Sequence, residues 1–200
     1  MNDDPSLLPA IKAKLTELVR FASMSRLKVH SDCDEIVTSE MPDNFRAGKV
    51  LANNMVFILT SGEPVRVTFK AHYNMDTARA LASRIFGGVS AQAISDRRAV
   101  DYMKEYCNLV AGKIVTLFED LQIDLGISLP QQARGFYEVF ADYQEKDRPT
   151  VSFSDFWTLR AGEYTITCSA LMEILDRKQL ESLVDYAIAD TSDDEEMDFL

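Results

Sequence analysis

The chain reads as an α+β fold: one antiparallel sheet with helices packed on it, made of two similar helix-and-hairpin halves. Three observations predict it. Helical periodicity recurs near both ends of the chain and in two central stretches; strand-like runs come in pairs across short turn signals; and the order is helix, strands, helix, helix, strands, helix. A length of 200 residues with 46% hydrophobic content suits one core, assigned here to residues 1–189, with 190–200 as an acidic tail.

Leu8, Ile11, Leu15, Leu18 and Ala22 recur at helical spacing and predict an amphipathic helix over residues 6–22. In the mixed stretch that follows, "EIVTSEM" is a candidate strand. "KVLANNMVFILT" reads as a strand and "SGEP" as its turn. "VRVTFKA" then alternates Val65, Val67 and Phe69 inward against Arg66, Thr68 and Lys70 outward. "NMDTARALASRIF" is a helix stopped by Gly87-Gly88. The longest helix runs from its N-cap Ser95 to about Asp120. "LQIDLGISLP" places Leu121, Ile123, Leu125, Ile127 and Leu129 on one face of a strand. "TVSFSDFWTL", with Trp157 in the core, and "YTITCSALMEI" are strands joined by "RAGE". "DRKQLESLVDYAIAD" closes the fold as a helix with Leu180, Leu183, Val184, Ala187 and Ile188 on its apolar side.

Composition removes several function classes. The longest apolar runs, "MVFIL" and "SALMEIL", fall far below the roughly 20 residues of a membrane span. No basic-then-apolar leader is visible, so no secretory signal is expected. Cys33, Cys107 and Cys168 lack C-x-x-C spacing and read as reduced, mostly buried thiols of a cytoplasmic protein. A formal charge of −11 excludes a general nucleic-acid binder. Asp190, Asp193, Asp194, Glu195, Glu196 and Asp198 carry six of those negative charges, leaving −5 on the body. His30 and His72 stand far apart without ligand-spaced neighbours, so no metal site is expected. Neither G-x-S-x-G, P-loop nor G-x-G-x-x-G occurs.

One stretch carries chemistry. At about 100° per residue, Met103, Cys107, Val110, Ile114, Leu117 and Leu121 share the core face of the long helix. Asp101, Glu105, Asn108 and Gly112 fall roughly 170° from it by the same geometry. Outward polar residues are ordinary on a helix, but asparagine is a poor choice in mid-helix, where Lys, Glu or Gln would cost less. The helix also leads into "ISLP", ending at Pro130.

In Asp101-x3-Glu105-x2-Asn108, followed by "NLVAG" and Pro130, the chain resembles the chemotaxis phosphatases CheC and CheX, which dephosphorylate the response regulator CheY. Their motif is Asp or Ser, three residues, Glu, two residues, Asn, then a Pro after about 22 more; here that last gap is 21. Lys113 stands where the family often has Asn. "DTARALASRIF", taken as the first half's counterpart helix, has Ala80 and Ser83 at the Glu and Asn positions. A single active helix is the CheX-like arrangement.

What this resemblance implies is a phosphatase for the aspartyl phosphate of a CheY-like receiver domain. Asn108 would orient the attacking water, Glu105 would form a salt bridge with the receiver's active-site lysine, and Asp101, Gly112 and Pro130 would meet the partner. The family also implies no cofactor of its own, Mg²⁺ on the partner receiver, and a homodimer. The chemistry suits the residue types. An acyl phosphate is already activated, and a carboxamide can accept from a water through its oxygen while its NH₂ donates to a phosphoryl oxygen. The alternative is a non-catalytic CheX-like module that binds a receiver or a flagellar-switch protein. Met197, Phe199 and Leu200 after the acidic run resemble the tethers by which other chemotaxis proteins hold response regulators; the plainer expectation is a solubilising tail.

Overall fold

The computed structural model describes residues 6–40, 54–87, 89–134 and 151–188. Four helices and seven strands follow one another as α1 (Leu7–His30), β1 (Ile36–Glu40), β2 (Asn54–Ser61), β3 (Val65–Tyr73), α2 (Met75–Ile85), α3 (Asp96–Glu119), β4 (Gly126–Ile127), β5 (Gln131–Arg134), β6 (Val151–Ala161), β7 (Tyr164–Ile174) and α4 (Glu181–Val184). All seven strands join one antiparallel sheet in the order β1-β6-β7-β3-β2-β4, with β5 also paired to β2. The opening residues 49–53 of the strand expected in "KVLANN" and the acidic tail 190–200 lie outside the described residues.

The two expected halves are present, and the sheet shows how they interlock. Hairpins β2–β3 and β6–β7 meet at the β3–β7 junction. The leading strand of each half crosses to the other: β1 pairs β6, while β4 and β5 pair β2. The halves are therefore α1–β1–β2–β3–α2 and α3–β4–β5–β6–β7–α4.

Period-two alternation decides which sheet face is covered. Val65, Val67, Phe69, Ala71 and Tyr73 of β3 join Ile166, Cys168, Ala170, Met172 and Ile174 of β7 in one core with α1, α2 and α3. At its centre Phe69 meets Tyr106 edge-on at 6.0 Å and Trp157 at 6.2 Å. Lys70, expected outward, is instead buried, lying on the second face in register between Phe57 and Ser169. His72 on that face is also buried, its Nε2 3.2 Å from Ser169 Oγ. Alternation told the two faces apart; it did not tell that the second one is closed along this row.

Three other boundaries differ from expectation. Helix α1 continues past Ala22 to His30 because Ser23 in "ASMSR" is polar but partnered: Trp157 Nε1 donates to Ser23 Oγ at 3.1 Å and the Tyr106 hydroxyl to Ser23 O at 3.0 Å. "LQIDLGISLP" is not one continuous strand. The chain turns at Gln122 (φ 60°), buries Ile123 and Leu125, and leaves Ile127 and Leu129 exposed. Ladder pairing lasts only over Gly126–Ile127, after which the Ser128 side chain accepts from Leu59 N at 3.0 Å. Here the close approach of Gly62 matters, since a Cβ on it would stand 2.4 Å from Asp124 O. The closing helix shortens to Glu181–Val184; Leu180 and Leu183 are buried as expected, but Ala187 is exposed. Beyond it the Tyr186 hydroxyl donates to Asp120 Oδ2 at 2.7 Å, drawing the chain to the end of α3.

Candidate functional site

Helix α3 begins where its sequence says it should. Ser95 is extended (ψ 156°) and its side chain accepts from Arg98 N at 3.4 Å, while Asp96 adds a carboxylate to the first turn. One side of the rod is locked in the core through Ala99, Met103, Tyr106, Cys107, Val110, Ala111 and Ile114. Burial holds the Tyr106 hydroxyl and the Cys107 thiol well above their ordinary pKa values, so both stay protonated at neutral pH.

On the outer side the predicted residues form a line. Asp101 and Glu105 are exposed, and Asn108 is partly so. Asn108 Nδ2 donates to Glu105 Oε2 at 3.2 Å, one turn apart. The bond fixes the amide's orientation: NH₂ towards the carboxylate, Oδ1 turned away from it. Asp101 pairs loosely with Arg97 at 3.8 Å.

Gly112 completes the line, and among the described residues nothing lies within 4 Å of the Cβ it lacks. Internal packing therefore does not require a glycine here, although glycine in mid-helix costs about 0.5–1 kcal/mol relative to alanine. The next turn closes over it, with Thr116 Oγ1 donating to Gly112 O at 3.1 Å. Pro130 lies between β4 and β5, the two short strands that bring the chain back beside α3. Leu129, next to it, is 78% exposed. The structure thus brings Glu105 and Asn108 into contact and sets Asp101 and Gly112 along the same edge. It records no bond between Pro130 and these four.

The counterpart of α3 in the first half is α1, and not the helix of "DTARALASRIF". Ile11, Leu15, Leu18, Val19, Ala22 and Ser23 are buried in α1, and at one constant offset Ala99, Met103, Tyr106, Cys107, Val110 and Ala111 are buried in α3. The same offset sets Glu17 against Glu105 and Arg20 against Asn108. Arg20 is clamped: its Nε and Nη2 donate to the two carboxylate oxygens of Asp155 at 2.6 and 2.8 Å, and it also pairs with Glu40. Its guanidinium lies 5.8 Å from the Trp157 ring centroid. These contacts, Asp155 foremost, push its pKa further up, so it is a permanent cation in a closed network. The missed signal was in the sequence: "Ile11-x3-Leu15-x2-Leu18-x3-Ala22" has the spacing of Ala99, Met103, Tyr106 and Val110, and Glu17-x2-Arg20 that of Glu105-x2-Asn108.

Among the described residues, no three His, Cys, Asp or Glu side chains gather as metal ligands would, and no helix is long and apolar enough to cross a membrane.

No protein-family model matches the chain, and no curated protein matches it by sequence. Solved structures do match. A CheC-like superfamily protein from Shewanella sp. PV-4 superposes with a TM-score of 0.59 at 13% identity, over 80% of this chain and 97% of that one. The structure of a CheX-CheY-BeF3-Mg complex from Borrelia burgdorferi gives 0.58 at 16%, over 80% and 97%. FliY of Thermotoga maritima gives 0.53 at 14%, over 92% and 98%. The α+β architecture of this chain is the CheC/CheX fold.

Proposed function

We propose that this chain accelerates hydrolysis of the aspartyl phosphate on a CheY-like receiver domain. The observation that carries the reading is the outward pair on α3, with Asn108 Nδ2 bonded to Glu105 Oε2 at 3.2 Å on a rod whose other side is buried in the core. The CheC/CheX fold supports it, as does the CheX-CheY complex among the similar structures.

The division of labour follows from what each partner would hold. The receiver would supply the phosphorylated carboxylate, a lysine and Mg²⁺. This chain would supply position: Asn108 accepts from the attacking water through Oδ1 and aligns it with phosphorus, while Glu105 pairs with the receiver's lysine and keeps the amide oriented. No nucleophile on this chain is needed. Gly112 would let the receiver's backbone approach α3, and Asp101 and Pro130 would border the contact.

The alternative reading is a CheX-like module that binds a receiver or a flagellar-switch protein without catalysis. One experiment separates the two. A CheY-like receiver is loaded by a small phosphodonor, and loss of phosphoaspartate is followed with this protein and with Asn108→Ala. The phosphatase reading expects acceleration by wild type and its loss in the variant; decay at the receiver's own rate with both proteins would favour the binding module instead.

A further inference from the structure

One contact set joins the end of α1 to the turn of α3 that bears Glu105. The ring of His30, the last residue of α1, stacks on Tyr102 with centroids 4.2 Å apart and planes 20° from parallel. His30 Nε2 donates to the Tyr102 carbonyl at 3.0 Å, which assigns the proton to Nε2, because a carbonyl only accepts. In return the Tyr102 hydroxyl donates to the His30 carbonyl at 3.3 Å. Each side chain is thus bonded to the other's backbone, with the rings packed between them. Tyr102 precedes Glu105 by three positions, and Tyr106, whose ring lies 6.3 Å from that of His30, follows it.

We propose that His30 is a positioning residue for the Glu105–Asn108 pair, clamping the turn of α3 that carries it to the end of α1. The inference rests on the phosphatase reading for its effect on rate, and on the geometry alone for the clamp. Packing of apolar side chains fixes a helix in depth but tolerates small slides along its axis; two reciprocal hydrogen bonds at one turn remove that freedom where the carboxylate and amide must be held.

Protonation gives the clamp a signature. Burial lowers the pKa of His30 from 6.5, opposed by its bond to Tyr102 and by the charge of Glu105. Arg26 stands one turn back on α1 and Asp32 two residues on; Arg84 of α2 donates to Asp32 O at 3.2 Å and its charge acts on Tyr102. Below its midpoint His30 adds a positive charge beside Glu105, where it competes with an incoming lysine for the carboxylate.

The test compares wild type, His30→Gln, which retains a donor without titrating, and His30→Ala. The Asn108 side-chain amide resonances are followed by NMR through pH 5 to 8, and receiver dephosphorylation is measured alongside. In wild type the amide is expected to titrate with a midpoint below 6.5, and neither variant should show that titration. The kcat of His30→Ala should fall about tenfold with KM for the phosphorylated receiver nearly unchanged, and His30→Gln should recover most of the loss. An Asn108 amide that titrates identically in wild type and His30→Gln, or does not titrate at all, overturns the proposal. Should His30→Ala fail to fold, Tyr102→Phe removes the returning bond and keeps the stack. A clamp seen by NMR together with a wild type that does not dephosphorylate the receiver would leave the clamp standing and reject the phosphatase.

Discussion

Helices α1 and α3 have the same length, 24 residues each, and the same buried spacing, yet their outward residues keep different company. On α1 Arg20 is tied to Asp155 and Glu40 and lies against Trp157; its donors are spent within the molecule. On α3 the Asn108 side chain has, among the described residues, one bond, to a carboxylate that is itself exposed. The same position on a repeated scaffold has become a structural tie in one half and a presented edge in the other. A charged side chain beside a partly buried carboxylate is held there by the cost of separating the pair. A carboxamide beside an exposed carboxylate is oriented at little cost and stays available to a partner.

The hardest test of this contrast is Asn108→Ala, expected to lower receiver dephosphorylation by about 10²-fold while leaving the thermal melting curve in place; stopped-flow loss of phosphoaspartate and calorimetry together measure it. The mirror experiment is Arg20→Ala. It strands Asp155, whose side chain is only 12% exposed, and should cost about 2 kcal/mol in urea unfolding, between an exposed pair and a buried one. Dephosphorylation by that variant should be unchanged, and a parallel loss would dissolve the distinction between the helices.

Gly112→Ala separates fold from presentation. The added methyl meets nothing within 4 Å among the described residues, so helix propensity should raise stability by about 0.5–1 kcal/mol. Receiver affinity, read by titration calorimetry, should weaken several-fold; a variant both stabler and fully active would take Gly112 out of the contact surface. The smallest effect concerns pH. Because burial depresses His30 below its unfolded value of 6.5, the unfolded chain binds the proton first. The stability it contributes is complete above that value and is lost as pH falls from 6.5 towards the folded midpoint. His30→Gln should flatten that part of the stability profile in denaturant melts at stepped pH.

The legible parts of this molecule were those with one dominant local cause. The core stripe of α3, its Ser95 cap, the alternation of β3 and the inward Trp157 each follow from spacing or residue type, and all stand in the structure. What misled was side-chain partnership at a distance. Ser23 looks like the end of a helix until Trp157 and Tyr106 bond to it. Ile127 and Leu129 continue an apolar alternation yet are exposed, because the ladder lasts only over Gly126–Ile127 and the chain beyond it is held by Ser128 instead. Lys70 is outward by parity and buried all the same.

The sequence by itself determined that α3 would turn Glu105 and Asn108 to one side, since 3.6 residues per turn leaves no other arrangement once the apolar stripe is buried. The matching apolar spacing of α1 already marks it as the counterpart helix, but how the two halves interlock was decided only in three dimensions. The crossing of β1 to β6 and of β4 and β5 to β2 defines the halves, and strand pairing across the chain is invisible to local periodicity. The fates of Arg20 and Asn108 were settled the same way, by whether the neighbouring strand delivered a carboxylate such as Asp155 to close on the side chain.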